Sequence, residues 1–273
     1  MPDDLQVRLN QREQENVEEL AAPRAPVIYE VVRRQGEEEL KRPVGSLFWS
    51  GIAGGVTMMA SIIAEGALSE HLPASIPWRV PVIDVGYSLG FLMVILGRMQ
   101  LFTEQTIVAV LPIMRHPSWR KLWIAIRLWV VVFVANLIGV ATAAALNVQA
   151  HVVSQDLLKA MLQVSALLLG KTPLDVLLQG IPAGFLIASV AWIRAGINGD
   201  HFWMVLSLTY AIVLGGFTHV IAGSAETFLL LFSGQIGGGQ AFGGLILPAL
   251  AGNVIGGTGL FALLAHAQVR QEL

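Results

Sequence analysis

One histidine, His219, interrupts an apolar stretch in the last quarter of the chain. Gly215 and Gly216 precede it and Gly223 follows it, which is typical of irregular backbone whose N–H groups face a cavity. Imidazole titrates near neutral pH, so a histidine there could be protonated or could donate a proton to a weak-acid anion. The alternative is a neutral histidine bonded only to backbone. We favour the functional interpretation, because ionisable groups inside apolar segments usually mark transport paths or relays.

An earlier polar interruption places Thr103 at the corresponding point of another break in the apolar pattern. Its hydroxyl suits a substrate contact, the capping of the helix that follows, or both. Large apolar residues beside the two breaks are expected either to constrict a path or simply to pack. They are Leu101, Phe102, Ile212 and Phe217.

Three charged residues lie close to the breaks, namely Arg98, Glu104 and Glu226. Each would cost at least ~2.5 kcal/mol at the centre of a bilayer, so unpaired burial is unfavourable. We expect mutual pairing, for instance of Arg98 with Glu104 or Glu226, in struts near subunit contacts. The alternative is a charged vestibule lining. Glu65 and Asp84 are expected close enough to the outer face to be solvated.

The composition excludes a soluble fold. Hydrophobic residues make up 55% of the 273 positions and charged residues 13%, about half of the roughly 25% of soluble domains. Of 36 charged residues, 17 precede Pro43, which leaves 19 for the other 231 positions. A net charge of −2 and the high apolar content also exclude disordered and nucleic-acid-binding proteins. The chain is expected to be an integral membrane protein with a polar N-terminal tail.

Motifs of soluble enzymes do not occur in a credible context. The chain has no cysteine, so disulfides, thiolate nucleophiles and Cys-ligated metals are excluded. There is no phosphate-binding Walker loop, no HExxH and no GxSxG motif with triad partners. We therefore expect a protein that is not an enzyme and that uses neither a metal nor a cofactor.

The apolar segments predict six membrane crossings, because a spanning helix needs about 20 apolar residues. The predicted segments are 44–68, 80–97 with its continuation at 107–114, 122–146, 176–193, 202–217 with 220–232, and 241–265. The second and fifth crossings are thus broken midway. An interfacial helix is expected at 157–169, and a further helix in the tail at 27–40. We interpret the tail helix as a solvated helix that leads into the first membrane crossing or, alternatively, as a docking site for a cytosolic partner.

Basic residues predict the orientation, since short cytoplasmic loops are enriched in Lys and Arg. Loops and span ends after the even-numbered crossings carry six such residues, and the opposite loops carry three. Both termini are therefore expected in the cytoplasm. The domain division is a polar tail at 1–43, a membrane domain at 44–268 and a short C-terminus at 269–273.

The two halves of the membrane domain resemble each other. The similar segments are 51–55 with 180–184, 102–104 with 217–219, and 136–139 with 253–256. Three collinear pairs indicate repeats at about 44–147 and 170–268, and three crossings each make the second repeat inverted relative to the first. Inverted repeats with broken helices place a transport site where the breaks meet. Asn136 and Asn253 are expected to brace the half-helices, and four glycine pairs to allow close packing.

The residues from 44 to about 268 resemble the formate/nitrite transporter family. The similarity lies in Gln100-Leu101-Phe102-Thr103, in Gly216-Phe217-Thr218-His219, and in the segments around Asn136 and Asn253. Further residues, such as Leu111-Pro112 and the ending at 265–270, are similar to the YfdC-type bacterial inner-membrane branch of that family. The resemblance implies an aquaporin-like six-helix protomer in a homopentamer, with a pore in each protomer. It also implies that Thr103 and His219 face the substrate between hydrophobic constrictions.

The implied function is a channel or transporter for small monovalent anions or their weak acids, proton-coupled through the central histidine. The implied location is the bacterial inner membrane. Departures from the family pattern remove groups that attract anions: Thr218 replaces a glutamate, Gly223 and Gly184 replace asparagines, and Lys171 lies one helical turn late. Two alternatives therefore stay open. One is the same pore carrying a cation or neutral solute, and the other is a membrane scaffold whose tail binds a partner.

Overall fold

The computed structural model describes residues 10–12, 21–197 and 199–272. Over these residues all regular secondary structure is helical, as the sequence predicts. The helices are α1 (Ala25–Lys41), α2 (Val44–His71), α3 (Arg79–Leu96), α4 (Phe102–Val108), α5 (Leu111–Arg115), α6 (Trp119–Gln149), α7 (Gln155–Ser165), α8 (Pro173–Gly196), α9 (Phe202–Leu214), α10 (Val220–Phe232) and α11 (Gln240–Val269). A 3₁₀ turn at Ala166–Gly170 follows α7.

Six crossings make up the bundle, and two of them are composite. Helices α2, α3, α6, α8 and α11 are each long and apolar enough to span a membrane. Helix α4 resumes the second crossing after the break that follows α3, while α9 and α10, of 13 residues each, together form the fifth. The prediction of a six-helix fold with broken second and fifth crossings is confirmed.

Close backbone packing holds the crossings together in two equivalent pairs, α2 with α6 and α8 with α11. A Cβ atom added at Gly55 would meet the backbone of Asn136, and one added at Gly184 would meet the backbone of Asn253. Small residues therefore allow these helices to approach to backbone contact. The other glycines of the four predicted pairs approach neighbouring helices in the same way: Gly51, Gly86, Gly90, Gly180, Gly252 and Gly256.

Helix α11 departs from regular α-helical geometry in two places, Gln240–Ile246 and Ile255–Ala262, which form π-helical turns. The second of these turns includes Gly257, where a Cβ atom would collide with the side chain of Thr106 in α4. The Thr258 hydroxyl in the same turn donates a hydrogen bond to the Thr106 carbonyl. The irregular turn thus brings α11 against the first half-helix.

Helix α1 lies across the end of the bundle at which α2 begins. Its buried residues, Tyr29, Val32, Gly36 and Leu40, recur every three or four positions and so form one face. The hydroxyl of Tyr29 is 2.7 Å from Nδ1 of His266 in α11. The tail helix therefore packs on its own membrane domain with one face and leaves only the other to solvent.

Candidate functional site

Two half-helices start in the buried interior, one from each broken crossing. Leu101 precedes α4 and His219 precedes α10, and both have extended backbone, with φ of −118° and −96°. The first N–H groups of a helix have no partner within it, so each half-helix exposes donors at this point. The positive ends of two helix dipoles therefore converge on the centre of the fold.

One asparagine from the facing helix braces each half-helix. The Asn136 amide donates to the carbonyls of Gly51 and Gln100, at 2.7 and 2.9 Å, and its oxygen accepts from the Phe102 N–H at 3.0 Å. Asn253 is placed in the same way. Its amide donates to the carbonyls of Gly180 and Thr218, both at 2.9 Å, and its oxygen accepts from the Val220 N–H at 2.9 Å.

These hydrogen bonds correct the predicted register of the repeat at the breaks. Phe102 in the first repeat makes the bond that Val220 makes in the second, so Leu101 is equivalent to His219. The predicted pairing of 102–104 with 217–219 is therefore wrong by three residues, because Phe-Thr occurs by coincidence at both breaks. The symmetric position of His219 is therefore held by a leucine, and Thr103 lies one turn into α4.

Thr103 and His219 nevertheless meet across the two repeats. Both side chains are buried, and Thr103 Oγ1 lies 2.7 Å from His219 Nε2. The other ring nitrogen, Nδ1, is 3.2 Å from the backbone N–H of Ala222, which can only donate. Nδ1 must therefore accept, which assigns the proton to Nε2 and makes Thr103 Oγ1 the acceptor. The histidine is neutral in this arrangement and caps α10.

Apolar groups enclose this pair. The Phe91 ring in α3 contacts the His219 ring edge to face, with centroids 4.8 Å apart. Leu101 and Ile212 are fully buried, and the Ile212 carbonyl accepts from the Phe217 N–H at 3.0 Å. Phe102, by contrast, packs against Trp129 and Phe133. Its ring centroid lies 5.9 and 5.2 Å from theirs.

A cavity of about 440 Å³ leads from the α2 C-terminal end of the bundle to His219. Phe217, Thr218 and His219 line its inner end. Because α2 has 28 residues and spans about 42 Å, this vestibule lies on the side opposite α1. Five acidic or basic side chains also line it: Glu65, Arg79, Asp84, Lys171 and Glu226.

Lys171, which lies one helical turn later than the lysine of the family pattern, lines this vestibule. The Lys171 Nζ donates to the carbonyl of Gly216 at 2.7 Å. Gly216 has a positive φ of 64°, which glycine adopts easily. Burial lowers the pKa of the Lys171 ammonium, while the carboxylates of Glu226 and Asp175 act in the opposite direction. The loop before α8 thus brings a cation next to the second break.

The charged residues near the first break pair differently from the prediction. Glu104 Oε1 lies 3.2 Å from a guanidinium nitrogen of Arg194 in α8, not of Arg98. Arg98 is exposed and has left-handed backbone, with φ of 55°, so its side chain leaves the interior. Arg194 comes from the other repeat and had no local signal in the sequence.

Glu65 is also placed differently from the prediction. It is 3% exposed rather than solvated, and its Oε2 has no hydrogen-bond partner among the described residues. The prediction that Glu65 is solvated rests only on the distance of position 65 from the end of the apolar segment. The packing of α3 and α10 over this part of α2 explains the burial.

The sequence alone did not reveal Phe91, Lys171 or Arg194 as neighbours of the breaks. Phe91 is one apolar residue within an apolar helix, and Arg194 resembles an ordinary basic residue at the end of a crossing. Each approaches the site only through the packing of separate elements. In the described residues, no group of three or more His, Asp or Glu side chains is arranged to hold a metal ion.

Comparisons with known proteins give a consistent relationship. The family model described as Formate/nitrite transporter matches residues 26–267. The inner membrane protein YfdC of Escherichia coli (strain K12) is 34% identical over 275 residues, covering 99% of this chain and 88% of that protein. The uncharacterized transporter YrhG of Bacillus subtilis (strain 168) is 28% identical over 251 residues, covering 88% and 92%.

Solved structures share the fold at low sequence identity. An ion channel of the same family superposes with a TM-score of 0.73 at 18% identity, covering 89% of this chain and 98% of the other. A pentameric formate channel with formate bound superposes with a TM-score of 0.71 at 18% identity, covering 84% and 98%. With a family model over most of its length and a relative above 30% identity, the chain belongs to the formate/nitrite transporter family.

Proposed function

We propose that the protein is a channel or transporter for small monovalent anions or their weak acids. The observation that carries this proposal is the contact between Thr103 and His219, where the first turns of two half-helices converge in the buried interior. Converging helix N-termini and a hydroxyl donor favour a small anion at this point.

The same surroundings disfavour the passage of a bare charge. Phe91 contacts the histidine ring, and Leu101 and Ile212 are buried beside the break, so the crossing point offers little solvation. We propose that the anion crosses together with a proton, as the neutral acid. His219 then acts as the hydrogen-bond donor that holds Thr103 in place, and Thr103 presents its hydroxyl proton to the substrate.

The relatives support the chemical class and the assembly. One solved structure with the same fold is a pentameric formate channel with formate bound. We therefore propose a homopentamer, with formate or a similar small carboxylate or oxyanion as substrate. Because one relative is an inner membrane protein, we propose the same location, with both termini and α1 in the cytoplasm as the basic loops predict.

A flux assay in proteoliposomes tests the proposal. Vesicles that contain a pH dye are challenged with formate, nitrite, acetate, lactate and hydrosulfide, and internal acidification is followed. We expect formate-dependent acidification well above that of empty vesicles, and its loss in His219→Ala. The exposed His116→Ala is the matched control and should transport normally. No flux of any acid or anion, or unchanged flux in His219→Ala, would contradict the proposal.

A second candidate is cation or neutral-solute transport through the same pore. The carboxylates of Glu65, Asp84 and Glu226 in the vestibule favour it, because they outnumber the two cations there. Reversal potentials in asymmetric salt separate the candidates. An anion-selective potential excludes cation conduction, whereas a cation-selective potential overturns the first proposal.

A further inference from the structure

Two glutamates, Glu65 and Glu226, line the same vestibule, and among the described residues neither forms an ion pair within 4 Å. Glu65 from α2 is 3% exposed, and its Oε2 has no hydrogen-bond partner among the described residues. Glu226 from α10 lines the same cavity and lies within electrostatic reach of Glu65.

Lys171 acts electrostatically on Glu226, while the other groups around the two glutamates are hydrogen-bonded elsewhere or add negative charge. Arg79 donates to the Ser69 and Leu72 carbonyls, and Lys171 to that of Gly216. Three carboxylates and two cations leave the vestibule with an excess negative charge when all are ionised. The titratable groups that face the two glutamates are Asp84 and Tyr87 of α3, Lys171 before α8, and His219. Two carboxylates in one low-dielectric site cannot both ionise cheaply, so such a site retains a proton.

A gap connects Glu226 with His219. These two residues and Gly223 lie at spacings of four and three along α10, and therefore on one face that lines the cavity. A Cβ atom added at Gly223 would have only one heavy atom within 4 Å, Glu226 Oε2 at 4.0 Å. The absent side chain leaves room between the carboxylate and the crossing point.

His219 itself is badly placed to supply a proton. Its Nδ1 accepts the Ala222 N–H, and its Nε2–H bonds to Thr103. Loading a second proton on Nδ1 would break the cap of α10, and it would place a cation at the positive end of a helix. Loss of the Nε2 proton from the neutral ring would produce an anionic imidazolate. The transported proton must therefore come from another group.

We propose that Glu65 and Glu226 share a proton in the vestibule and that this proton crosses with the anion. This inference rests on the proposed function and names the proton source for the same pore. The O–H bond of the protonated Glu226 breaks, and an O–H bond forms on the incoming carboxylate or oxyanion. Glu226 is left as a carboxylate and takes its next proton from vestibule water. Proton loading also removes the excess negative charge, so the proton binds before the anion.

Infrared difference spectroscopy tests the shared proton without any transport. Spectra of the full-length protein at neutral and high pH are compared for the C=O stretch of a protonated carboxyl group. We expect this band in the wild type and its loss in the double variant Glu65→Gln/Glu226→Gln. The exposed Glu70→Gln, on the same side of the bundle, is the control and should retain the band. A band that persists in the double variant overturns the proposal.

Formate uptake at a series of external pH values tests the coupling. Wild-type uptake should rise as the external pH falls, and Glu226→Gln should lose that dependence. Glu65→Gln should shift the profile to lower pH, because Glu226 then lacks the neighbouring charge that favours its protonation. Glu70→Gln should follow the wild type. The Glu→Gln substitutions hardly change the shape of the side chain. The size-exclusion elution profile of each variant checks that it still assembles.

The outcomes distinguish this inference from the proposed function. Formate transport with wild-type pH profiles in both single variants overturns the shared-proton inference alone. Absence of anion transport by the wild type overturns the proposed function and the coupling with it. The infrared band then still decides whether the two glutamates hold a proton.

Discussion

The bond between Thr103 and His219 joins the two repeats through a single pair of buried polar atoms. Its direction follows from the backbone, since the Ala222 N–H occupies the other ring nitrogen. The hydroxyl proton of Thr103 is consequently free for a third group. The sequence leaves Thr103 as a substrate contact, a helix cap or both, and the free hydroxyl proton supports our proposal that it donates to the substrate.

Replacement of Thr103 by valine keeps the side-chain shape and removes the hydroxyl. The Nε2–H of His219 then lacks a partner, and an unsatisfied buried donor costs about 1–3 kcal/mol. If this cost appears in the transport barrier, formate flux falls about 5- to 150-fold. Thr103→Ser retains the hydroxyl and should stay near the wild-type flux. Proteoliposome uptake measures both, and equal flux in Thr103→Val and the wild type would contradict the expectation.

The sequence identifies His219 and Thr103 because polar residues stand out within apolar segments. It does not identify Phe91 or Lys171, whose approach depends on how distant helices pack. The misaligned register of the breaks has a similar cause. The equivalence between the repeats is determined by hydrogen bonds to Asn136 and Asn253, while the residue types around the two breaks differ.

At the scale of the helices, polar braces hold the starts of the two half-helices. A half-helix in the membrane interior begins with N–H groups that no water satisfies, and the preceding break leaves carbonyl groups free. Each asparagine satisfies one N–H and two carbonyls from separate elements. In each repeat, the asparagine thereby fixes the break, the half-helix and the helix that carries the glycine carbonyl, α2 or α8, to one another.

Replacement of Asn253 by leucine removes all three of these bonds. The Val220 N–H and the Thr218 carbonyl would lose their partner, at about 1–3 kcal/mol each, and the Gly180 carbonyl would keep only its place in the helical bonding of α8. We expect the Tm in detergent to fall by roughly 10 °C or more. The control is Asn147→Leu, which removes one intrahelical bond from a buried asparagine and should lower the Tm much less. Similar Tm values for both variants would contradict the bracing role.

The helices themselves could be predicted well, because apolar length and small-residue spacing dictate them. The structure extends several predicted crossings by a few residues, for example from 122–146 to Trp119–Gln149, since helices continue into the polar boundary. The π-helical turns of α11 could not be predicted. The second of these turns lies against α4, an approach that no local sequence pattern records.

At the scale of the whole molecule, α1 seals the end of the bundle opposite the vestibule. Its contacts reach both repeats: the Gln100 amide donates to Glu39 at 3.0 Å, and Tyr29 bonds to His266. Ion pairs at spacings of three and four stabilise the helix, with Arg33 between Glu30 and Glu37. Because α1 contacts both repeats, it adds to the stability of the bundle.

The substitution Gly36→Leu should detach α1 selectively. A Cβ atom at this position would collide with the Val108 carbonyl and the ring of Pro112. The chain has no cysteine, so Glu38→Cys and Arg270→Cys provide unique spin-label sites on exposed positions. In pentamers diluted with unlabelled subunits, we expect a narrow distance distribution within the labelled protomer that broadens in Gly36→Leu. Gly45→Leu, whose Cβ would meet nothing within 4 Å, is the control and should leave it narrow.

Acid should weaken α1 only far below neutral pH. Hydrogen bonds from Arg33, with a further one from Arg34, lower the pKa of Glu30 from 4.5 to about 2. Because the folded value is the lower one, this stabilisation is present above pH 4.5 and is lost as the pH falls toward about 2. The same spin-label distances should be unchanged from pH 7 to pH 5 and broaden below. In Glu30→Gln the stabilisation by the Glu30 carboxylate is absent at every pH. Broadening of the wild-type distances already at pH 6 would contradict the assignment.

The contact between Tyr29 and His266 spans 237 residues of sequence and has a consequence for biosynthesis. The ribosome adds Tyr29 237 residues before His266. Helix α1 therefore has no complete docking surface until α11 has been translated, after every other crossing. A protein truncated before His266 would leave this face of α1 uncovered and exposed to cellular proteases.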